Sequence, residues 1–195
     1  MSVLEPLKAR VAAVRPRNLA PHGYRRAAVL VPLFELQGAA HVLLTRRTEL
    51  VEHHKGQIAF PGGGEEPGDA DLRATALRET HEEIGLPPDA VDVWGRLDEV
   101  ETVVSGFAIT PFVGAIPGVG SLRANPNEIA EIITVPLERF MRPGALRVER
   151  VVRDGRPHEV LFYDCPPHVV WGVTARILHS LVTVIGLSPA PEASP

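Results

Sequence analysis

The chain has 195 residues, 20 of them basic and 24 acidic, for a net charge of −4; that length suits one domain, and that charge excludes wholesale binding to nucleic acid or an anionic membrane. A content of 45% hydrophobic and 23% charged residues excludes a disordered or fibrous chain. The single cysteine, Cys165, excludes an internal disulfide and a multi-cysteine zinc site.

Residues 4–14 place Leu4, Leu7, Val11 and Val14 at helical spacing, which predicts a short N-terminal packing helix. A Pro- and Arg-containing connector, 16–26, leads to two β-rich runs, 27–34 and 39–45, and Gln37-Gly38 between them predicts a hairpin. Another short strand is expected at 57–60, ended by Pro61-Gly62-Gly63-Gly64, where the backbone is free to turn sharply or approach a ligand. The Ala-, Leu-, Arg- and Glu-rich stretch 69–84 predicts a helix stopped by Gly85 and Pro87-Pro88. Several antiparallel strands are expected over 91–116, then a strand at 132–135 and a helical turn at 137–141. Strands 146–152 and 159–163 flank Asp154-Gly155, a hairpin signal, and a C-terminal helix over 169–185 is apolar nearly all round and so expected to be buried. Strands with helices at irregular intervals make the class α+β, with a mixed or antiparallel sheet between helices.

On a wheel of about 100° per residue, Glu79, Glu82 and Glu83 share one face of the 69–84 helix. Ala70, Ala74, Leu77 and Ile84 gather opposite them, so the helix is expected to bury the apolar stripe and present the acids outward. Like charges at this spacing destabilise a helix. A hard divalent cation compensates, because it prefers oxygen ligands and bridges carboxylates to the oxygens of a diphosphate. Arg78 is placed to neutralise or orient a neighbouring carboxylate, and the glycine run to add a carbonyl ligand. The expected chemistry is metal-assisted attack of water on phosphorus. A bare Glu-x-x-Glu-Glu more often marks an exposed acidic helix paired with nearby arginines, so the surrounding sequence decides.

Gly63, followed by Arg78-Glu79-Thr80-His81-Glu82-Glu83-Ile84-Gly85-Leu86, resembles the box of the Nudix hydrolases, Gly-x5-Glu-x7-Arg-Glu-U-x-Glu-Glu-x-Gly-U with U a bulky apolar residue. Thr80 stands at the first U, Asp69 takes the place of the first glutamate, and eight residues rather than seven separate it from Arg78. The resemblance implies an α/β/α sandwich with a mixed central sheet, in which a loop-helix-loop motif holds metal against a substrate diphosphate. It gives Glu79, Glu82 and Glu83 a role as ligands of Mg2+ or Mn2+ and Arg78 an orienting role, all four counted as catalytic. The general base varies in location within the family, and Glu99, Glu101, Glu128 and Glu131 are the candidates after the box.

Upstream, Leu43-Leu44-Thr45-Arg46-Arg47-Thr48 and Gly56-Gln57-Ile58-Ala59-Phe60-Pro61-Gly62-Gly63 are similar to the additional motif of the coenzyme A pyrophosphatase branch. Glu52 stands where that branch has arginine. Asn125-Pro126-Asn127-Glu128-Ile129, Val135-Pro136-Leu137 and Trp171-Gly172-Val173-Thr174-Ala175 are also similar to segments of that branch. The implied reaction is hydrolysis of CoA and its thioesters to 3′,5′-ADP and 4′-phosphopantetheine or its acyl derivative. Arg46, Arg47 and Lys55 are the candidate cations for substrate phosphates, with Gly62 and Gly63 as the backbone beside the diphosphate. His53-His54 lack a third metal ligand at matching spacing and read as loop residues.

Two other readings stand beside this one: a Nudix hydrolase for ADP-ribose, NADH or another nucleoside diphosphate derivative, and a catalytically silent nucleotide-binding regulatory module. The expected organisation is an N-terminal helix and connector over 1–26, a Nudix hydrolase domain over 27–187 and a tail over 188–195. The expected partner is a small molecule, with neither nucleic acid nor membrane, in a monomer or homodimer. Met1-Ser2-Val3-Leu4-Glu5 lacks a secretory pattern, and the cytoplasm is the expected location.

Overall fold

The computed structural model describes residues 2–19, 23–49, 55–102, 106–153 and 155–186. Its central strand is β1 (Arg25–Leu36), whose residues alternate between two cores. Leu30 and Phe34 face one, with Leu43 and Ile84, while Val31 and Leu33 face the other, with Val42, Leu44 and Leu178. The hairpin to β2 (Ala39–Arg47) forms at Gln37-Gly38, both with positive φ, 52° and 76°. That backbone twist matches the right-handed twist of the paired strands.

Two short strands follow, β3 (Ile58–Ala59) and β4 (Gly62–Gly64). The glycine run is therefore not the free turn expected from sequence: it pairs antiparallel with β1, Val29 opposite Gly62 and Ala27 opposite Gly64. Gly62 has φ +151°, and a Cβ there would stand 2.3 Å from the Ala28 carbonyl oxygen, so the close approach itself requires glycine.

Helix α2 (Leu72–Ile84) starts three residues later than expected, because Asp71 caps it by accepting the Ala74 N–H at 2.8 Å. It ends at Gly85, in the left-handed region at φ 69°. The buried side of α2 also corrects the sequence expectation. Leu72, Thr75, Ala76, Thr80, Glu83 and Ile84 are buried, whereas Ala70 lies outside the helix and is exposed, and Ala74 and Leu77 are half-buried. Of the three acids Glu83 thus turns into the protein, Glu79 is half-buried and Glu82 stays exposed.

After α2 come β5 (Asp92–Arg96), β6 (Val100–Glu101) and β7 (Phe107–Ala115). β5 and β6 pair antiparallel with β7, but β7 pairs parallel with β1, from Arg25 opposite Phe107 to Leu33 opposite Ala115. A parallel neighbour needs a long crossover, and α2 lies within it. β8 (Ile129–Pro136) adds to β2 and runs into a 3-10 turn at Leu137–Met141. Among the described residues eight strands form this mixed sheet and three, β9 (Leu146–Arg153), β10 (Arg156–Cys165) and β11 (His168–Trp171), form a second, antiparallel one. Asp154, the first residue of the expected turn dipeptide between β9 and β10, lies outside the described residues.

Residues 168–171, whose end 169–171 was expected to begin the last helix, are strand because Val170 and Trp171 pair with Tyr163 and Phe162 of β10; α3 (Gly172–Val184) follows. It buries Ala175, Ile177, Leu178, Leu181 and Val182. Helix α1 (Glu5–Ala12) sends Leu7 and Val11 into the same core. The result is α2 on one face of the sheet and α1, α3 and the small sheet on the other, an α/β/α sandwich. Among the described residues no helix is long and apolar enough to cross a membrane.

Candidate active site

The last turns of α2 lie against β4, and Glu83 is the innermost of the three box acids, 1% exposed. Its Oε2 accepts the Gly62 N–H at 3.2 Å, and Arg47 Nη2 approaches its Oε1 at 3.4 Å. Burial pushes this carboxyl up to about 7; Arg47 and the Gly62 N–H oppose the rise, while Glu79 and Glu128 add to it.

Glu79 is pressed against Gly63, where a Cβ would come 2.4 Å from the Glu79 Cδ. Its carboxyl is raised first by burial, with Glu82 and Glu128 contributing and Arg78 opposing. Glu82 stands at the rim, its side chain 52% exposed. Arg78 Nη1 donates to both, 3.0 Å from Glu79 Oε1 and 3.1 Å from Glu82 Oε2.

The rest of the Arg78 fork is held from the loop before the helix. Nε and Nη2 donate to Asp69 at 2.9 and 3.0 Å, and Nη2 also to the Gly64 carbonyl at 3.1 Å. Asp69 Oδ2 further accepts the Glu66 N–H and the Thr75 hydroxyl, each at 2.9 Å. The Arg78 hydrogen bonds, followed by that of the Glu66 N–H, hold the Asp69 carboxyl well below the usual range. Most of the stretch from Asp69 to Arg78 is helix, but residues 69–71 precede it, so a spacer of different length can be absorbed in the loop without turning the acids on α2.

The remaining candidates separate by position. Arg46 Nε donates to Glu131 at 3.0 Å, and Glu131 is also 3.5 Å from His168 Nε2, so this pair belongs to the neighbourhood of β11. Lys55 is exposed ahead of β3. Among the possible bases, Glu99 accepts the Leu19 N–H and the Thr110 hydroxyl, and Glu101 accepts the Tyr24 hydroxyl. Glu128 alone of the four acts electrostatically on both Glu79 and Glu83. Asn125 Nδ2 donates to it at 3.1 Å, and the Asn125 N–H in turn binds the Glu83 carbonyl at 2.8 Å. Nothing local in the sequence ranked Glu128 above the other three, because its neighbours come from α2. Glu52, His53 and His54 lie outside the described residues.

Glu79, Glu82 and Glu83 offer hard oxygen donors, crowded enough that burial and mutual repulsion raise two of them, and that chemistry suits Mg2+ or Mn2+. Among the described residues no three acidic or imidazole groups already form a ligand cage, since Glu79 and Glu82 converge on Arg78. A cleft of about 360 Å³ at the N-terminal end of α2 includes Arg26, Arg73 and Arg96. Its lining also holds Asp71 and Glu99, and Arg26 is 3.4 Å from Glu65 beside it, so most of the positive charge is offset.

Residues 23–154 match the NUDIX domain family. A protein of Photorhabdus laumondii named uncharacterized Nudix hydrolase NudL is 40% identical over 166 residues, covering 85% of this chain and 87% of the relative. Its namesake from Shigella flexneri is 37% identical over 187 residues, covering 95% and 96%. The crystal structure of a NUDIX hydrolase from Alicyclobacillus acidocaldarius shares the fold, with a TM-score of 0.57 at 21% identity over 88% of this chain and all of that one.

Proposed function

This chain belongs to the Nudix family, and from that premise we propose that it hydrolyses CoA and CoA thioesters to 3′,5′-ADP and 4′-phosphopantetheine or its acyl derivative. At the coarser level it is a Nudix hydrolase acting on nucleoside diphosphate derivatives, a family that uses divalent metal ions. The observation that carries the CoA reading is the meeting of two motif ends on one carboxylate. Arg47, from the start of the upstream motif, and Gly62, from its end, each address one oxygen of Glu83. The segment that resembles the CoA branch is thereby part of the box acids' own site.

Glu79, Glu82 and Glu83 would hold Mg2+ or Mn2+, which supplies charge neutralisation on the diphosphate and activation of water. Arg78, fixed by Asp69 and Gly64, keeps Glu79 and Glu82 oriented. Glu128, the acid outside the box nearest in effect to these groups, takes the proton of the attacking water as the new P–O bond forms and the bridging P–O bond breaks. Arg46 and Lys55 are the cations left for the substrate side of this reading, since Arg47 is engaged with Glu83.

Incubating the protein with CoA, ADP-ribose, NADH and dNTPs in Mg2+ or Mn2+ ranks the substrates. CoA is expected to be cleaved fastest, and preferential cleavage of ADP-ribose overturns the assignment. Glu82→Gln and Glu83→Gln are each expected to lower kcat by at least about 100-fold. Full activity in both variants would mean that the metal is held elsewhere.

A further inference from the structure

Arg46 and Arg47 are consecutive, yet β2 sends them to different faces of the sheet. Leu43 packs in the core beside α2 and Leu44 in the core beside α3. Arg46 follows the Leu44 row and meets Glu131; Arg47 follows the Leu43 row and meets Glu83. The pairing of β2 with β8 shifts register between these two arginines, a bulge of the kind that re-aims a side chain. The two therefore do not form one phosphate clamp.

Arg47 is itself mostly enclosed, with 25% of its side chain exposed, and Glu83 has 2%. A carboxylate so deeply placed requires partners on its oxygens. One oxygen has the Gly62 N–H, and the other has Arg47 Nη2. The Arg47 backbone is anchored as well, its N–H donating to the Gln57 carbonyl at 3.0 Å.

We propose that Arg47 is a positioning residue: together with the Gly62 N–H it fixes the Glu83 carboxylate by one oxygen each, and it does not bind a substrate phosphate. This rests on the reading that Glu83 belongs to the metal-holding set. A positioning partner of this kind sets the rate of the chemical step more than the affinity for substrate, and its loss costs about 10–100-fold.

The test combines metal-free melting with kinetics. Without metal, Arg47→Gln is expected to lower Tm by about 3–6 °C, and by less than half of that in a Glu83→Gln background, because the partner is already gone. With Mg2+ and the diphosphate substrate it turns over best, Arg47→Gln is expected to lower kcat about 10–100-fold and leave KM within about threefold, with Arg47→Lys recovering part of the rate. Should Arg47→Gln fail to fold, Arg47→Lys carries the same cycle. A KM raised tenfold or more at unchanged kcat, or fully additive melting shifts, overturns the proposal. A Glu83→Gln variant that keeps its kcat instead defeats the metal-set reading, while the metal-free cycle still reports on the pair.

Discussion

Asp69 grips Arg78 side-on, Oδ1 accepting from Nε at 2.9 Å and Oδ2 from Nη2 at 3.0 Å, which leaves Nη1 for Glu79 and Glu82. A planar fork held at two nitrogens has little freedom at the third. Asp69→Asn keeps the shape but loses the charge and one acceptor. We expect it to lower kcat by about 10–100-fold and to destabilise the fold by about 2 kcal/mol, read by steady-state kinetics and urea unfolding. Unchanged kcat would show that Arg78 orients the acids without help.

The same pair sets a pH dependence. The Asp69 carboxyl is depressed in the folded chain, chiefly by Arg78 and then by the Glu66 N–H, against about 3.9 in an unfolded chain. A depressed acid contributes stability that is fully present above the unfolded value and is lost as pH falls through the folded one. The stability gap between the native chain and Asp69→Asn should therefore be constant from neutral pH to about 5 and shrink below about 4. Urea midpoints at pH 7, 5 and 3 measure it, and a gap still constant at pH 3 contradicts the assignment.

Adjacent glycines should fail in different ways. A Cβ on Gly63 meets the end of the Glu79 side chain, at 2.4 Å from Cδ, whereas one on Gly62 meets backbone, 2.3 Å from the Ala28 oxygen and 2.6 Å from the Val29 Cα. A side chain can move aside and a paired strand cannot. Gly63→Ala is expected to fold and to lose at least about tenfold in kcat through the displaced Glu79. Gly62→Ala, at φ +151° as well, is expected to lose stability before activity can be compared. Circular-dichroism melts beside kinetics separate the two, and equal melting points would contradict the distinction.

What the sequence made legible here was local. Gln37-Gly38 marked the hairpin, the 78–86 pattern marked the helix and its stop, and Thr80 stood out as a polar residue at an apolar position. The orientation of α2 was not legible, because Thr75, Thr80 and Glu83 are buried by bonds to their surroundings, to Asp69, Ala76, Gly62 and Arg47, and not by apolarity. The parallel pairing of β1 with β7 leaves no mark in either strand alone. Glu128 was one of four equal acids until the turn at 125–129 was seen bonded to the end of α2.

Glu128 can now be tested against its competitors. Among Glu99, Glu101, Glu128 and Glu131, the last has Arg46 and His168 as partners and the first two are tied to Leu19 and Tyr24. Glu128→Gln is expected to lower kcat by about 100–10,000-fold with KM little changed, while Glu101→Gln stays within about threefold. A large kcat loss at Glu101 with none at Glu128 would move the base to the other end of the sheet.

Thr80 occupies the position where the family pattern has a bulky apolar residue. It is fully buried, and its hydroxyl donates to the Ala76 carbonyl, one helical turn back, at 2.6 Å. That acceptor also belongs to the helix backbone, so the hydroxyl satisfies itself without supporting another element, and such back-bonding slightly weakens a helix. Replacing it by the isosteric valine removes a buried donor and leaves no charged or unpaired group behind. The β-branched shape stays the same and no cavity opens, but a methyl in the hydroxyl's place would stand 2.6 Å from the Ala76 oxygen, inside van der Waals contact, so the side chain must shift or change rotamer. With the relieved back-bond and the new crowding opposing each other, Thr80→Val is expected to leave kcat and KM unchanged and to move Tm by no more than about 3 °C. A Tm lowered by more than about 4 °C would mean that the hydroxyl holds a further partner in the working enzyme, and a fall in kcat would place that partner in the acidic site.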